Sequence, residues 1–271
     1  MPELPEVETT RRGLEQHLVG QRIARVTIRN GRLRKPVPPR LSARLSGTTI
    51  RALTRRGKYL LIDCGAGTLI LHLGMSGRLW LVDAATPAEK HDHFDLVLAN
   101  GKIVRLRDPR RFGLVLWQTG DPLRHPLLAH IGPEPLSDEF DGACLHRVML
   151  KRGAAIKHVL MDGHVVAGVG NIYANEALFH AGINPRLPAQ RLSLARCRLL
   201  VQKLRETLTA AIYAGGSSLR DYVGGDGMAG NFQKAFLVYG RAGEPCSRCG
   251  TPIREIRQGQ RATFYCPCCQ R

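Results

Sequence analysis

The chain has 271 residues, enough for about two domains with cores of their own, and its 44% apolar and 23% charged content is globular rather than disordered. Forty Lys and Arg against 22 Asp and Glu leave a formal net charge of +18, which points to a polyanionic partner, nucleic acid before an anionic membrane surface. No uncharged apolar run reaches the ~18 residues of a spanning helix, and acids stand where a secretory leader carries bases, so a soluble, intracellular protein is expected.

The chain opens Met-Pro-Glu-Leu-Pro-Glu-Val-Glu. Removal of Met1 would leave Pro2 with a secondary amine, and chain-terminal amines titrate near pH ~8. A fraction would then be unprotonated and able to attack a carbonyl-like carbon, the logic of Schiff-base catalysis. Glu3 and Glu6 stand close by as possible proton carriers. A proline that merely starts a helix is the plain alternative. Leu4, Val7, Leu14 and Leu18 mark one face of a helix over 3–19, with Gly20 as its stop.

From residue 21 the period shortens. Runs at 22–30, 48–53, 58–64, 68–74, 78–83, 94–100, 102–108 and 112–118 read as strands separated by turn signals such as Asn100-Gly101, which predicts a β-sandwich or barrel ending near 120. Residues 121–137 contain four prolines and read as a connector. Helices are predicted at 138–150, 154–161, 171–181 and 193–214, with the glycine-rich VVAGVGN between the second and third. Such helix–turns–helix arrangements can aim backbone amides at phosphate. Six glycines within 215–231 suggest a mobile loop, a candidate lid.

Cys246/Cys249 and Cys266/Cys269 form two C-x-x-C pairs sixteen residues apart. Two knuckles at this spacing present four thiolates to one structural Zn²⁺ with no coordination position left for water. A segment as short as 241–271 has no core of its own, so metal would supply its folding energy. Cys268 could compete with Cys269. Arg254, Arg257 and Arg261 make the intervening hairpin basic. Cys64, Cys144 and Cys197, scattered singly, read as buried reduced thiols.

PELPEVE, RRGKYLL, HLGMSGRL, KHDHFDL, DPRRFG, GPEPLS, VVAGVGNIYANEAL and QRATFYC together resemble the bacterial formamidopyrimidine-DNA glycosylase family over the full length. The resemblance implies an α+β protein: an N-terminal β-sandwich flanked by helices (1–120), a linker (121–137), a helix–two-turns–helix domain (138–240) and a four-cysteine β-hairpin zinc finger (241–271), the two main domains flanking a DNA cleft. It implies a monomeric, cytoplasmic, nucleoid-associated repair enzyme that excises oxidised purines from double-stranded DNA and then cleaves the strand by β,δ-elimination. Pro2 would be the nucleophile at C1′, Glu3 the general acid/base, and Lys58 and Arg261 the other catalytic residues. Met75, Arg110 and Phe112 would fill the gap left by the extruded nucleotide. His91, Arg152, Lys157 and Asn171 would contact DNA, with His93 an internal partner. Two alternatives stand beside this reading. The endonuclease VIII branch shares the nucleophile but takes oxidised pyrimidines; Leu4 and DPRRFG favour the purine reader. A non-enzymatic zinc-finger DNA-binding protein would explain the charge and the finger, though not Pro-Glu at the terminus.

Overall fold

The computed structural model describes residues 1–217 and 230–271. They form two compact units: residues 1–129 with 212–233, and residues 130–211 with 234–271. Residues 212–233, expected with the helices, thus group with the first unit, and the finger groups with the helices.

In the first unit, α1 (Leu4–Leu18) starts at a capping box in which Glu3 and Glu6 each accept the other's backbone N–H, satisfying two orphan donors. Leu4, Val7, Leu14 and Leu18 are buried, as their spacing requires. The helix ends at Val19, and Gly20 turns the chain with φ +83°. Eight strands follow: β1 (Ile23–Ile28), β2 (Ala52–Arg56), β3 (Tyr59–Asp63), β4 (Thr68–His72), β5 (Arg78–Asp83), β6 (Asp92–Leu98), β7 (Lys102–Arg107) and β8 (Leu114–Gln118). They pair antiparallel into two four-stranded sheets, β1-β6-β7-β5 and β2-β3-β4-β8. One core takes Leu60, Ile62, Leu69 and Leu71 from one sheet, Leu79, Phe94, Leu96 and Val104 from the other, and Val7, Leu14 and Leu18 from α1. This is the sandwich.

Two local features depart from the sequence reading. The strand expected over 48–53 begins at Ala52, because Ile50 N–H bonds to Gln21 O and Thr49 bridges Arg22 outside the sheets. A short helix, α2 (Leu41–Leu45), was not expected; its two buried leucines sit one turn apart, too brief a pattern to register.

The second unit holds α3 (Gly142–Met149), α4 (Ile156–Leu160), α5 (Asn171–His180), most of α6 (Leu194–Tyr213), and the hairpin β9 (Arg254–Gln258) and β10 (Arg261–Tyr265). α3 starts four residues later than expected because Asp141 caps it, accepting Cys144 N–H at 2.6 Å. Between α4 and α5, Val165, Val166, Ala167 and Val169 are buried, and Gly168 takes φ +77°. Among the described residues no helix is long and apolar enough to cross a membrane.

Candidate active site and metal centre

Pro2 and Glu3 are both buried. Glu6 holds them in place: its Oε2 accepts Glu3 N–H at 2.9 Å, and its Oε1 accepts the N–H and hydroxyl of Ser217 at 2.8 and 2.9 Å. Glu6, a possible proton carrier by sequence, is therefore fully engaged as a clamp between the chain start and the stem of the glycine-rich segment. Ser217 bridges Asn231 across that stem, and a Cβ on Gly230 would fall 2.2 Å from Gly216 O, so only glycine fits there. The lid reading itself concerns 218–229, which lie outside the described residues.

Lys58 stands at the two-residue tip between β2 and β3, where Gly57 takes φ +56°. The tip is tied back to α1. Arg55 donates to Gly57 O at 2.9 Å and to Glu8 at 3.1 Å. Burial pushes the Glu8 carboxyl up, but hydrogen bonds from Arg11 and Arg12 and the nearby charges of Arg11 and Arg55 bring it below the ordinary range.

Met75 and Phe112, large apolar side chains, are 44% and 42% exposed. They occupy the β4–β5 and β7–β8 loops. The Arg110 guanidinium lies 4.9 Å from the Phe112 ring centre, a cation–π contact, and Arg111 between them takes φ +57°, strained for a residue with a Cβ. His91 is half-buried; His93 is buried and donates from Nε2 to Asp108 O at 2.9 Å, the internal partner expected. His72 carried no expectation. It accepts Gly74 N–H on Nδ1 at 2.9 Å, and desolvation with the charges of Lys58 and Arg34 pushes its pKa down to about 4, so it is neutral near pH 7.

In the second unit Arg152 is exposed and paired with Asp162 at 3.3 Å. Arg261 opens β10 on the exposed side of the hairpin. Lys157, expected among the DNA contacts, is turned inward. Its side chain is 0% exposed and its ammonium donates to Ala262 O at 2.8 Å and to the Thr263 hydroxyl. Asn171 donates to the same Ala262 carbonyl at 3.1 Å. Both hold the hairpin residue next to Arg261. Other buried groups seat the finger: Glu176 accepts the amides of Leu237, Val238 and Tyr239 at 2.8–3.0 Å, and Asn175 accepts Phe264 N–H at 2.8 Å.

Sγ atoms of Cys246, Cys249, Cys266 and Cys269 all lie within 4.8 Å of one another. Cys246–Cys269 and Cys249–Cys266 are 3.9 and 3.5 Å apart. A tetrahedral Zn²⁺ with bonds of ~2.3 Å sets neighbouring sulfurs about 3.8 Å apart, so the donor set fits. Arg248 N–H and Cys269 N–H each point at a ligand sulfur at 3.4 Å, as thiolate knuckles need. The thiols also strain against each other. Thr251 draws Cys249 down to about 6, while hydrogen bonding with Cys249 pushes Cys269 up: four sulfurs this close need a cation before all can ionise. Cys268 is exposed and outside the cluster, which removes it as a competitor. Cys64 and Cys197 are buried free thiols as expected, whereas Cys144 is only half-buried.

The sequence carries no signal for His72, Ser76 and Asp108: His72 bonds a backbone amide two residues on, and Ser76 and Asp108 meet across two loops 32 residues apart, neither of which leaves a periodic pattern.

A sandwich beginning Pro-Glu, a helix–two-turns–helix and a four-cysteine hairpin define the class of helix–two-turns–helix DNA glycosylases. Family models agree: the formamidopyrimidine-DNA glycosylase N-terminal domain matches residues 1–115, its H2TH domain 131–223, and the zinc finger found in FPG and IleRS 243–271. The formamidopyrimidine-DNA glycosylases of Stutzerimonas stutzeri and Thiobacillus denitrificans are 59% and 58% identical over the whole of both chains. Lactococcus lactis Fpg, solved in complex with DNA containing an abasic site, superposes with a TM-score of 0.92 at 39% identity, covering 99% of each chain. Thermus thermophilus MutM (FPG) gives 0.88 at 40%, covering 99% of this chain and 98% of that one. The chain belongs to the formamidopyrimidine-DNA glycosylase family, whose members are base-excision DNA glycosylases with abasic-site lyase activity.

Proposed function

We propose that the chain excises oxidised purines, 8-oxoguanine and formamidopyrimidines, from double-stranded DNA and cleaves the resulting abasic strand, with Pro2 as nucleophile. The observation that carries this is the buried Pro2–Glu3 terminus held by the Glu6 clamp. After loss of Met1, the Pro2 nitrogen attacks C1′ as the glycosidic C–N bond breaks, and the base leaves with a proton. Glu3 donates a proton to the opening sugar ring. The iminium so formed acidifies C2′–H; that proton is lost to a base as the C3′–O bond breaks, and loss of the C4′ proton breaks the C5′–O bond in a second elimination. Water then hydrolyses the C1′–N linkage to release the sugar fragment as an aldehyde and free the Pro2 amine. Bonds and protons balance without an external reductant or oxidant.

Met75, Arg110 and Phe112 fill the vacated stack, two apolar wedges and a cation that hydrogen-bonds the orphaned partner base. Lys58, Arg152 and Arg261 contact phosphate, and His91 contacts DNA. Arg261 acts as an electrostatic clamp, since a guanidinium hardly deprotonates near neutral pH; Lys157 and Asn171 serve the same contact by fixing the hairpin beside it. The functional division we assign is catalysis in 1–120, a linker at 121–137, DNA docking in 138–240 and the finger in 241–271. The protein works as a monomer in the cytoplasm, on the nucleoid through its DNA affinity.

Borohydride reduction of the enzyme on an 8-oxoguanine duplex, with peptide mapping, should trap an adduct on Pro2 lacking Met1. Pro2→Gly should abolish it, and Glu3→Gln should slow base release by about 10²–10⁴-fold. An adduct on another residue, or none from a bound duplex, would reject the assignment. Faster excision of thymine glycol than of 8-oxoguanine would move the chain to the pyrimidine branch.

A further inference from the structure

The β4–β5 loop carrying Met75 and the β7–β8 loop carrying Arg110 and Phe112 are separate in sequence but joined by one buried side chain. Asp108 is 0% exposed. Its Oδ1 accepts the Ser76 hydroxyl at 2.8 Å, and its Oδ2 accepts Gly113 N–H at 2.7 Å. Ser76 Oγ in turn accepts Arg110 N–H at 3.2 Å. The backbones touch as well: Gly74 takes φ +61°, and a Cβ there would lie 2.4–2.6 Å from the Phe112 carbonyl and Gly113 nitrogen. The Asp108 backbone is also held at both ends by the start of β6: its N–H donates to His91 O at 3.0 Å, and its carbonyl accepts His93 Nε2–H at 2.9 Å.

Each of the exposed side chains Met75, Arg110 and Phe112 would lose entropy if fixed only on entering the duplex. Hydrogen bonds to a buried carboxylate are among the stronger kind, and they fix the loops beforehand. We infer that Asp108 and Ser76 are positioning residues that lock the two loops into one preassembled wedge, so that extrusion of a stacked nucleotide depends on them while chemistry at an already extruded one does not. The inference rests on the void-filling reading of Met75, Arg110 and Phe112.

Single-turnover cleavage by the full-length, zinc-loaded protein tests it on two substrates: 8-oxoguanine in a fully paired duplex, and an abasic site in single-stranded DNA, which needs no extrusion. Ser76→Ala removes one hydroxyl and is the primary variant; Asp108→Asn keeps the shape and disturbs the carboxylate. Each should slow the duplex reaction by about tenfold or more and change the single-stranded one less than twofold. Ser76→Ala added to Met75→Ala should slow the duplex reaction less than the product of the separate effects, because the parts act as a unit. Unchanged duplex rates with Ser76→Ala, or an equal fall on both substrates, would overturn the proposal. Met75→Ala and Phe112→Ala separate the two levels: if neither slows the duplex reaction the void-filling reading itself fails, whereas if they do and Ser76→Ala does not, only the coupling fails.

Discussion

The sandwich and the finger carry basic and catalytic side chains by opposite means. The sandwich fixes its loops over a continuous apolar core that runs from Val7 to Val115 and takes side chains from both sheets and a helix. The finger has a small cluster built on Phe179, Val238, Ile253 and Phe264, and its hairpin is held by four sulfurs and by buried polar contacts from Lys157, Asn171 and Asn175. Losing an apolar contact costs the transfer free energy of the removed atoms and the cavity they leave; losing a metal ligand or a buried polar partner leaves an unsatisfied group behind.

The sharpest break of this contrast is metal removal. Chelation, or Cys266→Ser, should unfold the hairpin, since zinc binding supplies on the order of 10–16 kcal/mol in comparable peptides. Duplex DNA affinity should then fall to the non-specific level while limited proteolysis leaves 1–120 intact. Loss of both regions together would show that the sandwich depends on the finger.

Next in size is Lys157→Met, which keeps the volume but takes a donor from the Thr263 hydroxyl and leaves Ala262 O with the Asn171 amide, at a cost of about 1–3 kcal/mol. It also reads the role of Lys157. If the ammonium serves the hairpin alone, the salt slope of DNA binding stays that of the wild type; if it neutralises a phosphate, the slope drops by about one.

His72 offers a comparable test within the sandwich. Its folded pKa of about 4 lies below the ordinary histidine value, so the unfolded chain binds the extra proton between those limits. The stabilisation is complete above pH ~6.5 and is lost as pH falls toward 4. Urea midpoints should fall by the equivalent of about 2 kcal/mol from pH 7 to pH 5, and His72→Gln should flatten that dependence. The smallest effect is expected at Arg111, where φ +57° is strained. Arg111→Gly should raise stability by about 1 kcal/mol by relieving it, and a fall in melting temperature would show that the Arg111 side chain holds the loop.

Much of this was legible beforehand for physical reasons. The α1 face, the eight apolar strand runs and the C-x-x-C spacing are periodic signals, and periodicity survives in one dimension. The thiol cluster needed only its spacing. The N-terminal Pro-Glu and the DPRRFG loop were visible as motifs. What stayed hidden is what depends on chain segments meeting. Lys157 reads as a DNA contact, and only the distant hairpin shows it buried; Glu6 reads as a proton carrier until Ser217 reaches it; and Asp108 draws no notice until Ser76 bonds it. The offset of β2 has the same origin, since residues 48–50 find partners in 21–23 rather than in the neighbouring strand.

The bond between Glu6 and Ser217 spans 211 residues of chain. During synthesis the sandwich core is complete once residue 115 has emerged, yet the clamp at the amino terminus must wait for residue 217. At ~5–20 residues per second, 211 residues take on the order of ten to forty seconds to make. For that interval the first residues of the nascent chain lack their last constraint. In the finished protein Pro2 is buried. The contact that fastens the first residues is thus the last that the order of translation allows, made after the sandwich they pack against is complete.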